Sequence, residues 1–329
     1  MKAFLPKDGL VPLLSRLGRY MEVVAPILVE NVPVFASWSG QPLALKDNPL
    51  LPPQEFFLPQ RETLFRYVQD CGRYSFEAAV GKTRLIFGIR PCDLRALVVL
   101  DKIFGSYPMD QLYFDKRRST VLIALNCTEP GESCFCAHLD SGPECGDAVD
   151  LQLTEIGDGY VVETGSPAGI LILKEHPEFF LEASQLQLSE KCEILKSTKE
   201  AMEARITRSL PGIKEAMEKA DWNALGRLCL NCGSCTFVCP VCHCFTIQDQ
   251  GVPDGERIRC RDTCLLSGFS RMAGGANPRI GRGERMKNWY LDKFEYIPQR
   301  TGLLGCVGCG RCSRVCLAEM DRWSLEVER

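Results

Sequence analysis

The stretches CLNCGSCTFVC (229–239) and CVGCGRCSRVC (306–316) each space four cysteines as C-x2-C-x2-C-x3-C. They align without gaps at an offset of 77 residues, from Cys229 to Cys306. Soft thiolate sulfur suits iron held in a sulfide cage. The two x2 steps wrap backbone round three corners of a cubane. The x3 step is expected to carry the fourth thiolate to the start of a helix, facing a neighbouring cluster. In two-cluster ferredoxins that fourth cysteine ligates the other cluster. One [4Fe–4S] cluster is therefore expected on Cys229, Cys232, Cys235 and Cys316, and a second on Cys306, Cys309, Cys312 and Cys239. Zinc is the competing metal, but structural zinc sites usually draw on two C-x2-C pairs per ion. Pro240 follows Cys239, whereas Leu317 follows Cys316.

The chain has 19 cysteines in 329 residues, so these eight leave a surplus. An odd count in a long chain points to metal or redox work rather than a disulfide framework. Cys242, Cys244 and Cys264 lie between the motifs and are further metal candidates, the first two on the helix or turn expected after Cys239. Upstream, Cys92, Cys127, Cys134 and Cys136 are candidates for a third iron–sulfur centre, with Cys145 closing the same loop and His138 a weaker candidate. Buried thiols in a tight Gly-rich loop are the alternative. Cys71 and Cys192 are isolated and read as small core-filling residues.

These cysteines need a scaffold. RLIFGIR (84–90) and VLIALN (121–126) read as buried strands, with a helix over 93–104 that Asp93 would cap. Cys92 and Cys127 then sit at the carboxyl ends of parallel strands, where α/β sheets place their sites. A helix N-terminus would also favour the Cys92 thiolate. YVVET (160–164) and ILIL (170–173) are further strand candidates, residues 10–20 and ETLFRYV (62–68) helix candidates, and 40–60 irregular chain. Residues 196–220 read as two polar helices broken at Pro211–Gly212. The fold class is α+β: an N-terminal α/β domain with a mixed sheet (1–195), then a mainly helical dicluster domain (196–329). The 66 residues between the motifs (240–305) favour a helical dicluster type over a compact hairpin ferredoxin.

Other chemistries find no footing. There is no G-x-G-x-x-G at a strand-to-helix turn and no P-loop, and three histidines suggest no catalytic set. A net charge of −3 gives no bulk case for nucleic acid. The arginines between 257 and 285 read instead as cations beside anionic clusters or facing an acidic partner. No apolar run approaches the ~20 residues of a spanning helix, so no membrane insertion is expected. The N-terminus lacks a signal-peptide core, so the expected compartment is the cytoplasm.

FGIRPCDLRAL, LNCTEPGESCFC, CLNCGSCTFVCPVCHCF, AGGANPR and CVGCGRCSRVC, in this order and together with FFLPQRE (56–62), resemble the iron–sulfur beta subunit of cytoplasmic sulfhydrogenases. They equally resemble the A subunit of anaerobic sulfite reductase. The likeness covers nearly the whole chain. It implies an electron-transfer subunit working with a flavin- and NAD(P)-binding diaphorase-type subunit. The terminal partner it implies is a hydrogenase, a sulfite reductase or a heterodisulfide-reductase-like complex. The family's ligand assignment carries to the eight motif cysteines. The family often has an aromatic residue before the R-D-x-C stretch where this chain has Cys260, which sets Cys260 aside and keeps Cys264.

The sequence thus reads as a non-catalytic electron relay in a cytoplasmic, anaerobic oxidoreductase complex. An autonomous metalloenzyme using a cysteine-ligated site in the N-terminal domain is the alternative.

Overall fold

The computed structural model describes residues 1–78, 82–146, 148–204, 210–320 and 325. In chain order its first half runs β1 (Lys2–Pro6), α1 (Leu10–Leu17), β2 (Glu22–Val29), β3 (Val32–Ser37), β4 (Arg61–Asp70), β5 (Arg73–Ala78), β6 (Arg84–Ile89), α2 (Pro91–Phe104), α3 (Gln111–Arg118), β7 (Thr120–Leu125), β8 (Leu151–Ile156), β9 (Gly159–Thr164), α4 (Pro167–Glu175) and β10 (Leu181–Glu182). The remainder runs α5 (Gln185–Glu203), α6 (Leu210–Lys219), α7 (Trp222–Leu228), α8 (Ser234–Phe237), β11 (Phe245–Gln250), β12 (Gly255–Arg261), α9 (Arg282–Leu291), α10 (Ile297–Thr301) and α11 (Arg311–Arg314).

Eight strands form one mixed sheet in the order β10-β1-β9-β8-β7-β6-β2-β3. Its centre, β2, β6, β7 and β8, is parallel, and antiparallel strands complete both sides. Successive side chains on a strand face opposite ways, which explains the apolar runs. Leu85, Phe87, Ile123 and Leu125 pack beneath the leucines of α1. Ile86, Leu122 and Ala124 pack on the other face against Leu94, Leu97 and Leu100 of α2. The fold is α+β, as the sequence implied, with a dicluster region after the sheet. Helix α5 packs on β8 and β9 and runs through position 195.

Three local expectations fail. ETLFRYV is strand β4, not helix; it pairs with β12, nearly 200 residues later, in a second antiparallel sheet ordered β11-β12-β4-β5. Cross-strand partners decided there over local spacing. ILIL lies in helix α4, because Ser166 accepts from the Gly169 N–H as N-cap and Pro167 takes the first helical position. Asp93 does not cap α2, which starts at Pro91 after Arg90. Among the described residues no helix is long and apolar enough to cross a membrane.

Candidate metal centre

The sequence repeat is also a structural repeat. Gly233 and Gly310 adopt left-handed conformations (φ 76° and 71°), and each precedes a one-turn helix, α8 or α11. The third cysteine of each motif, Cys235 or Cys312, lies in that helix, and the two helices pack together. Cys239 and Cys316 fall just past the helices, so neither starts one as expected. Cys242 and Cys244 lie in irregular chain leading into β11, not on a helix.

Cys239, Cys306, Cys309 and Cys312 line one small cavity of about 30 Å³. Phe135, Trp289, Tyr290, Phe294 and Val307 supply apolar walls, and Lys293 the charged group. Burial pushes the Cys312 thiol far up, and the charges of Cys309, Cys306, Cys239 and Cys235 push the same way. Burial likewise raises Cys309, to about 12. Isolated thiolates would be unfavourable here, whereas a metal core that deprotonates and neutralises them would suit this donor set. Among the described residues no three of His, Cys, Asp and Glu close up enough to hold a single ion. Tetrahedral zinc draws four sulfurs to about 2.3 Å; thiols arranged around a cavity fit a cage better.

The other motif set is less enclosed. Cys229 and Cys235 are buried, Cys316 is partly buried and Cys232 is exposed. The Asn231 N–H donates to Cys229 Sγ at 3.4 Å, and the Ser234 hydroxyl to Cys232 Sγ at 3.3 Å. Since Cys235 is among the charges acting on Cys312, the two sets are neighbours.

The upstream set lies against the second motif. Cys92 is the second residue of α2 and Cys127 follows β7, at the ends of adjacent parallel strands. Cys134 and Cys136 come from the following loop, and the charges of Cys127, Cys134 and Cys309 all act on Cys136. Burial pushes the Cys92 thiol well up, which overrides the helix N-terminus expected to lower it. The loop lies directly on the second motif: the Phe135 N–H donates to Gly308 O at 2.8 Å. A side chain at Gly308 (φ +63°) would strike the Cys136 backbone within 2.7 Å. Cys145 is buried near Cys127, and His138 has no hydrogen bond at its buried Nε2.

Two thiol pairs run through this stretch, Cys244 with Cys264 and Cys242 with Cys239. A hydrogen bond from Cys264 holds the Cys244 thiol down, and the same contact pushes Cys264 up. Cys242 stands in the same relation to Cys239. Cys71 and Cys192, expected in the core, are both exposed, Cys71 in the β4–β5 turn. Sequence reasoning missed Gln54, whose buried amide donates to Cys242 O at 2.7 Å, and Arg311, fully buried inside the second motif. A lone arginine between two motif cysteines carries no signal of its burial.

These features define a 4Fe–4S dicluster protein, and the comparisons agree. A family described as a 4Fe-4S dicluster domain matches residues 228–320. The chain is 30% identical over 278 residues to sulfhydrogenase 2 subunit beta of Pyrococcus furiosus, covering 83% of this chain and 80% of that protein. The chain belongs to the family of iron–sulfur beta subunits of sulfhydrogenases.

Proposed function

We propose that this chain is the electron relay of a sulfhydrogenase-like complex. It takes electrons from, or returns them to, a flavin- and NAD(P)-binding diaphorase-type subunit. It exchanges them with a terminal hydrogenase, sulfite reductase or heterodisulfide-reductase-like subunit. The carrying observation is the cavity ringed by Cys239, Cys306, Cys309 and Cys312. Those four would hold one [4Fe–4S] cluster, and Cys229, Cys232, Cys235 and Cys316 a second. Cys92, Cys127, Cys134 and Cys136 would hold a third iron–sulfur centre, and Cys242, Cys244 and Cys264 remain further metal candidates. Bound clusters supply one-electron carriage.

The protein's own part is order and insulation. Cys309 is among the charges acting on Cys136, and Cys235 among those acting on Cys312, which supports an order with the second motif set between the other two. At one end Cys232 reaches the surface beside exposed Leu228 and Leu230. Arg227 precedes Leu228, and Arg282 donates to Cys229 O at 3.2 Å; both are exposed and form no ion pair among the described residues. An apolar centre with a cationic rim suits an acidic redox partner. The reading assigns 1–195 to the sheet domain and 196–329 to the dicluster domain, in an anaerobic cytoplasmic complex that binds no nucleic acid. A cleft of about 370 Å³ lined by Pro91, Arg95, Ser141 and Glu144 favours a second reading, an autonomous metalloenzyme.

Anaerobic purification with iron, zinc and acid-labile sulfide counts, followed by NAD(P)H and sulfite assays of the isolated chain, tests both. Iron and sulfide without turnover is the expected result. Zinc without sulfide overturns the clusters, and turnover without partners overturns the pure relay.

A further inference from the structure

Lys293 is a buried charge to which the relay gives no role. It sits in the π-helical turn Asp292–Tyr296 between α9 and α10, and is 3% exposed. Its ammonium donates to Cys239 Sγ at 3.2 Å, to Gly305 O at 3.2 Å and to Cys242 Sγ at 3.6 Å. The Trp289 ring lies 5.1 Å away. Among the described residues it forms no ion pair with a carboxylate; Asp292 pairs instead with Arg300. Removing an ammonium from water without an opposite charge costs several kcal/mol. The anions within its reach are thiolates.

The placement is built by its surroundings. A π turn inserts one extra residue into a helix and re-aims its side chains, often at functional sites. Gly305 immediately precedes Cys306, and a Cβ there would come within 2.8 Å of Lys293 Cα. The bare glycine lets the motif lie against the lysine.

Resting on the two-cluster reading above, we infer that Lys293 is a positioning residue that raises the reduction potential of the site formed by Cys239, Cys306, Cys309 and Cys312. One electron enters that site with no bond made or broken, and the net negative charge rises by one. A fixed cation in a low-dielectric wall stabilises the more negative, reduced state more than the oxidised one.

The test is an EPR-monitored redox titration of the full-length protein as wild type, Lys293→Met and Lys293→Arg. Lys293→Met is expected to lower one midpoint and leave the rest, and Lys293→Arg to keep most of the wild-type value. An unchanged midpoint in Lys293→Met at full iron content overturns the inference. Should Lys293→Met lose iron, Lys293→Gln keeps a donor without the charge, and a wild-type midpoint there overturns it equally. Wild-type iron and sulfide below two clusters would instead overturn the two-cluster reading, independently of any midpoint.

Discussion

The guanidinium of Arg311 closes on the carboxylate of Asp93, 218 residues earlier in the chain, through paired contacts of 2.5 and 2.8 Å. Neither side chain meets solvent. Arg311 also donates to Pro49 O at 2.9 Å and to Asn48 Oδ1 at 2.7 Å. It stands between Cys309 and Cys312, and Asp93 follows Cys92. A planar fork with all three nitrogens engaged fixes orientation as well as distance. The second motif and the first turn of α2 are thereby one rigid unit, and so are the thiols they carry.

Arg311→Met should therefore destabilise the protein by about 3–5 kcal/mol, because it strands a buried carboxylate. The double variant Arg311→Met/Asp93→Leu should recover much of that loss, since no lone charge remains. Arg311→Lys should recover little, having no fork to offer. Urea denaturation under anaerobic conditions reads all three. A double variant as unstable as Arg311→Met would mean that the pair is not the source of the cost.

Cys232→Ser and Cys312→Ser fall in different motif sets, one exposed and one lining the cavity. Each should remove about one cluster's worth of iron and acid-labile sulfide, and the pair together nearly all that the dicluster region binds. Cys71→Ser, in the exposed β4–β5 turn, should change neither. Full iron in Cys232→Ser would undo the ligand assignment for that set.

Much of this was legible and some was not, for identifiable reasons. Thiolate spacing is local, so both motifs and their repeat stand out. The strands 84–89 and 120–125 were readable because a sheet covered on both faces demands apolar runs. The β4 strand was not: its residues are mostly half-exposed, and its partners Ile258 and Arg259 lie in another part of the chain. Asp93 had the residue type of a cap, and only the fold shows it facing an arginine from the second motif. Lys293 and Gln54 acquire meaning from what packs against them, and neither has a neighbour in sequence that foretells it.

The upstream set separates two outcomes cleanly. If Cys127 serves a third centre, Cys127→Ala should lower iron by a further cluster equivalent and leave the EPR signals of the other two in place. The Cys127 thiol is raised by its burial while the nearby Arg90 charge opposes this, an environment that suits either a ligand or an inert thiol. Iron unchanged in Cys127→Ala and in Cys134→Ala would make the set buried thiols only.

The link from the sheet to that set is open to a pH test. Lys191 on α5 is buried and bridges Glu144, at 2.6 Å, and Glu163 of β9. Further along the same helix, Thr198 donates to Thr128 O at 2.9 Å and Met202 Sδ lies 3.6 Å from Cys136 Sγ. Burial opposes the Glu163 charge, but the hydrogen bonds and charges of Lys191 and, to a smaller degree, of Lys2 outweigh it and hold the carboxyl below its ordinary 4.5. Burial also opposes the Lys191 charge, and the two glutamates outweigh it to hold the amine above 10.5. A depressed carboxylate contributes stability that is complete above 4.5 and is lost as pH falls through the lower folded value. A raised amine contributes stability that is complete below 10.5 and is lost only as pH rises through its folded value. The stability gap between wild type and Glu163→Gln should thus be flat through neutral pH and shrink as pH drops below 4.5. Comparing urea midpoints of the two proteins at each pH cancels general acid effects on bound clusters. A gap that stays constant into acid would show that the Lys191–Glu163 pair does not secure α5 to the sheet.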